Sequence, residues 1–77
     1  MESPNLDDLK IKLGERVRSL REEKGISIRQ FALQAGLEHP QLINIEKGRI
    51  DLKLSTLYKI SNALDIELSK LFKFSSK

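Results

Sequence analysis

At 77 residues, with 39% hydrophobic and 32% charged residues, the chain can bury one small core and is too short for a second domain. It has no cysteine and a single histidine, His39, which excludes disulfides, thiolate metal sites and multi-histidine metal centres. A formal net charge of +3 suits a polyanionic partner without requiring one, and no apolar run approaches the roughly 20 residues of a membrane span.

Met1 to Asn5, polar and holding Pro4, reads as a frayed lead-in. The folded domain is expected over residues 8–73, between a flexible 1–7 and a tail at 74–77. From Leu6 to Lys24 the residues Leu6, Leu9, Leu13, Val17 and Leu20 recur at three- and four-residue steps, the stripe of a long amphipathic helix. Asp7 and Asp8 suit its positive end, and Arg21, Lys24 and Gly25 suit its close. Gly14 lies inside it at a cost of about 1 kcal/mol relative to alanine, and permits close packing there.

A second helix is predicted over 28–35. Ser27 and Gln30 form a capping box, Ile26 and Phe31 a hydrophobic staple, and Gly36 ends the run Ile28, Phe31, Ala32, Ala35. A third is predicted over about 39–47, starting near Glu38 to Pro40, with Leu37, Leu42 and Ile45 inward and Gly48 as its end. Arg49 to Lys53 is a loop. Leu54, Leu57, Ser61 and Leu64, with Ile60 alongside, define a fourth helix that starts at Lys53 or Ser55 and closes on Asp65, a residue that tolerates the left-handed conformation. A fifth short helix carries Leu68, Leu71 and Phe72. No segment alternates as a strand does, so the fold class is all-α, with five helices. Phe31, Tyr58 and Phe72 fall on separate helices and read as packing residues.

Two short amphipathic helices joined at Gly36, with Gly25 and Gly48 at the outer ends, have the outline of a helix-turn-helix, which sets its second helix into a DNA major groove. Catalysis is not expected: the carboxylates are scattered, and no nucleophile–base pair or metal cluster can be assembled. No metal or cofactor is expected either. An acidic N-terminus and no membrane span suggest a cytoplasmic protein.

The segments VRSLREEKG, SIRQFALQAG, LINIEKG and LSTLYKISNALDI, in register from Leu13 to Phe72, resemble the Xre-like helix-turn-helix family of phage Cro and CI repressors. That resemblance implies a five-helix, lambda-repressor-like DNA-binding domain, similar to the small controller proteins of restriction–modification systems. It implies an ion pair between Arg21 and Glu46. It turns the start of the third helix toward base edges, through His39, Gln41, Ile43 and Asn44, with Pro40 shaping the helix start. Asn and Gln suit adenine, His can donate to guanine, and Ile43 can meet a thymine methyl. Arg29, Lys47, Arg49 and Lys53 are the expected phosphate contacts.

Two positions depart from the family pattern. Ile28 stands where many members have a glutamine that anchors to the DNA backbone, and Ile50 where a basic residue is common. Leu68, Leu71, Phe72 and Phe74 offer more apolar surface than the end of so small a domain needs, and are expected to form a homodimer interface. The function that follows is a sequence-specific transcriptional regulator, a repressor or controller, binding double-stranded DNA at a palindromic operator. The alternative is an antitoxin-type or protein-interaction module of the same fold with weak or no DNA binding, using an apolar face of Ile28, Pro40 and Ile50 for an unidentified protein partner.

Overall fold

The fold starts at Asn5, whose side-chain Oδ1 accepts from the Asp8 backbone N–H at 2.8 Å. That cap sets helix α1 at Leu6–Glu23, with Asp7 and Asp8 in the positively polarised first turn. The computed structural model describes residues 5–74. The helix starts at Leu6, where its apolar stripe places it, and so takes in the last two residues of the expected lead-in of 1–7.

Three more α-helices follow: α2 at Ile28–Ala35, α3 at His39–Glu46 and α4 at Leu54–Leu64. Lys53 takes the cap position of α4, with its carbonyl accepting from Leu57 N–H at 3.1 Å, which decides between the two possible starts. Asp65 closes α4 in the left-handed conformation, at φ 58°.

The last element, Leu68–Phe72, is a 3-10 helix, so the described residues hold four α-helices rather than five. Its bonds step by three residues, as in Lys70 N–H to the Glu67 carbonyl at 2.9 Å. Five residues after the Asp65 reversal are too few to establish α-helical spacing, and tight three-residue turns are the common form for so short a piece. Arg16 ties this turn to α1: its Nε and Nη2 donate to the Lys70 carbonyl at 3.2 and 3.0 Å.

One core joins all five elements. Leu13 and Val17 of α1 meet Phe31 and Ala32 of α2, Leu42 and Ile45 of α3, Ile60 and Leu64 of α4, and Leu71 of the closing turn. Each large apolar side chain so buried contributes about 1.5–3 kcal/mol relative to exposure. Leu6 and Leu54 do not join it, being 54% and 69% exposed. Each is the first residue of its helix, a turn before the packing begins. Tyr58, expected inside, is 60% exposed on α4.

Helices α1 and α3 approach each other closely at Gly14. A Cβ at Gly14 would lie 2.5 Å from the Ile45 carbonyl oxygen and 2.7 Å from that of Glu46. Only a bare Cα lets the two backbones pass at this distance, so the helix-propensity cost of Gly14 is exchanged for helix packing.

Candidate nucleic-acid interface

The Ser27 hydroxyl accepts from Gln30 N–H at 3.0 Å while the Gln30 side chain accepts from Ser27 N–H at 2.9 Å. This reciprocal cap fixes the first turn of α2. At the other end Gly36 is left-handed, and Leu37 N–H returns to the Ala32 carbonyl at 2.9 Å. The chain thus reverses within three residues into α3. There Glu38 is the cap residue, Pro40 occupies the first turn, and Gln41 Oε1 accepts from Glu38 N–H at 3.4 Å.

Across this turn runs the Arg21–Glu46 pair. Arg21 Nε and Nη2 donate to the two Glu46 oxygens at 2.8 and 3.1 Å, and Nη1 donates to the Ile26 carbonyl at 3.0 Å. The side chains are 13% and 6% exposed. The hydrogen bond to Glu46 raises the Arg21 pKa against the opposing effect of desolvation, so the guanidinium keeps its charge. A two-pronged bond fixes angle as well as distance. It therefore aligns the end of α3 with α1 and with the entry to α2.

On α3, Leu42 and Ile45 are fully buried, while His39, Gln41, Ile43 and Asn44 are partly exposed and Pro40 exposed. Two shallow grooves flank the helix. Ile43 shares one with Arg18, Ser27, Ile28 and Lys47. Gln41 shares the other with Ile50, Lys53, Ser55, Thr56 and Lys59. The expected phosphate contacts Lys47 and Lys53 thus lie on opposite sides of α3. Arg49 reaches back to Asn44, and Arg29 is exposed on α2 outside both grooves.

Sequence reasoning passed over Arg18 and Lys59. Arg18 was concealed by its i,i+4 partner Glu22, to which it donates at 3.0 Å. Lys59 belongs to the polar flank of α4, one turn beyond Ser55, a spacing that marks it as a neighbour of the loop lysine. Ile28 and Ile50, the two departures, are both partly buried against the core and are packing residues.

The C-terminal residues need correction. Leu71 is fully buried in its own chain and is not available to a partner; Leu68 and Phe74 are partly buried against the same core. In a 3-10 turn, residues three apart eclipse one another, which sets Leu68 and Leu71 on one inward face. Phe72 keeps 41% exposure, and its ring meets that of Phe74 edge-on with centroids 6.3 Å apart. Phe74 therefore belongs to the packed structure and not to a tail; residues 75–77 lie outside the described residues. Among the described residues no group of acidic or histidine side chains forms a metal site, and no helix is long and apolar enough to cross a membrane.

The profile of a helix-turn-helix domain family matches residues 14–74. Control protein C.MunI of Mycoplasma sp is 40% identical over 68 residues, spanning 87% of this chain and 92% of its own. The crystal structure of the restriction–modification controller protein C.AhdI from Aeromonas hydrophila superposes with a TM-score of 0.79 at 37% identity, over 80% of this chain and 94% of that one. That of the hypothetical transcription factor NHTF from Neisseria gives 0.82 at 30% identity, over 96% and 85%. Other curated relatives are longer, and the chain spans only 32% to 47% of their length. The fold, the turn between α2 and α3 and these likenesses agree: the chain belongs to the Xre-like helix-turn-helix family, whose members are transcriptional regulators and not enzymes.

Proposed function

We propose that this protein is a sequence-specific regulator that binds a palindromic operator as a homodimer, in the manner of a repressor or controller. The observation that carries this reading is the setting of α3. The Arg21–Glu46 bond holds its inner side, its outer residues stand free of the core, and lysines line both flanking grooves. Within this reading His39, Gln41, Ile43 and Asn44 face bases, and Arg29, Lys47 and Lys53 meet phosphates. One such domain covers only half a site, so two copies with their third helices about 34 Å apart supply the rest. The interaction-module alternative loses support because Ile28 and Ile50, two residues of its apolar face, are taken up by packing.

The test is fluorescence anisotropy with duplexes from the region upstream of the gene, titrated across salt concentrations. The logarithm of affinity should fall linearly with that of salt, by roughly 0.9 per phosphate neutralised. Lys47→Ala should weaken specific and random duplexes about equally and flatten the slope by about one. An affinity that ignores salt, or equal affinity for all duplexes, would contradict the proposal.

A further inference from the structure

Asn44 and Arg49 are joined twice. The Arg49 backbone N–H donates to the Asn44 carbonyl at 3.0 Å, and Arg49 Nη1 donates to Asn44 Oδ1 at 3.4 Å. The turn that brings them together is fixed by Gly48, whose φ is +72° and where a Cβ would lie 2.7 Å from the Cα of Ile11. Both the backbone angle and the neighbouring helix therefore demand glycine. Arg49 is folded back along α3 and does not trail into the loop.

This arrangement changes what Asn44 can offer to a base. A free carboxamide both donates and accepts, which matches the N7 acceptor and N6 amino group of adenine. Here Oδ1 faces a guanidinium, whose charge repels amino hydrogens approaching from a base. What this bond leaves uncommitted is the Nδ2 amino group of Asn44 and the other N–H groups of Arg49, all donors. Guanine presents two acceptors, O6 and N7, on its major-groove edge.

Resting on the DNA-binding reading above, we propose that Arg49 is a positioning residue for Asn44, and that the two read a guanine as one unit. They would not act as an adenine reader beside an independent phosphate contact. The juxtaposition that carries the proposal is the doubly bonded Asn44–Arg49 turn at the exposed end of α3.

The test uses the full chain and a randomised duplex library. Selection with the parent and with Asn44→Ala identifies the base pair that Asn44 reads. Affinities are then measured for the guanine and adenine versions of that site with the parent, Arg49→Ala and Arg49→Lys. The parent should favour guanine by about tenfold or more. Arg49→Ala should abolish or reverse that preference, and Arg49→Lys, which keeps the charge but not the planar fork of donors, should not restore it. In the free protein, the Asn44 side-chain amide resonances should move in Arg49→Ala, a readout independent of DNA. Selection of adenine by the parent, or an equal loss on both duplexes with Arg49→Ala, would overturn the proposal while leaving DNA binding intact. A parent that enriches no sequence would overturn the DNA-binding reading and this inference with it.

Discussion

Arg21 is the residue on which the rest of the site depends. It spends three donors on α3 and on the Ile26 carbonyl, and its partner Glu46 is 6% exposed, so solvent does little to screen the pair. Removing either side chain strands the other charge, at about 3–5 kcal/mol. In a domain with roughly 5 kcal/mol of total stability, Arg21→Ala or Glu46→Ala should be close to unfolding at room temperature. Urea melts of the two single mutants and the double mutant give the coupling, and additive losses would mean that the pair contributes nothing jointly. The pairing followed from resemblance and from guanidinium chemistry, because both residues sit in recognisable segments. The Asn44–Arg49 bond was not legible in the same way. It depends on the left-handed turn at Gly48 and on Ile11 pressed against it, and neither shows in a one-dimensional pattern.

At the scale of elements, the legible parts are those whose ends carry side-chain caps. Ser27, Gln30 and Gly36 bracket α2 at its observed limits, and α3 runs from His39 to Glu46, with Lys47 as its cap and not its last residue. What periodicity missed lies where a run is short or a helix overshoots the core. Leu68 and Leu71 were read with a 3.6-residue period but follow a period of three, and Leu6 and Leu54 fit their stripes without reaching the interior. Asn5 was missed because its neighbours are polar and Pro4 suggested an irregular start. The α1–α3 approach supplies a sharper test. Alanine at position 14 improves helix propensity by about 1 kcal/mol, yet its Cβ would meet the Ile45 carbonyl oxygen at 2.5 Å. Backbone cannot yield as a side chain can. Gly14→Ala should therefore be destabilising overall, by about 1–3 kcal/mol as for overpacked cores. A melting temperature at or above that of the parent would show that the helices separate freely.

For the whole molecule, the proposed homodimer is what a measurement must decide. Leu71 lies in the core of one chain, so Leu71→Ala should cost about 2–5 kcal/mol of monomer stability and says nothing specific about association. Phe72, 41% exposed beside the partly buried Leu68 and Phe74, is the appropriate probe. Phe72→Asp should leave circular dichroism unchanged while sedimentation shifts from a concentration-dependent dimer to a monomer. Operator affinity should fall with it. A parent that remains monomeric at about ten micromolar and above, where even a micromolar dimer forms, would refute the homodimer. The eight residues of α3 have a further consequence. Leu42 and Ile45 are fixed by the core and Glu46 by Arg21, while Pro40 and Asn44 turn away from it. On the proposed reading, the frame and the address it carries are written on opposite sides of one helix. Rewriting positions 39, 43 and 44 should redirect the protein to another DNA sequence with its melting temperature nearly unchanged, whereas position 41 also helps to start the helix and is less free to vary. One scaffold can thus serve many operators by exchange of a few side chains.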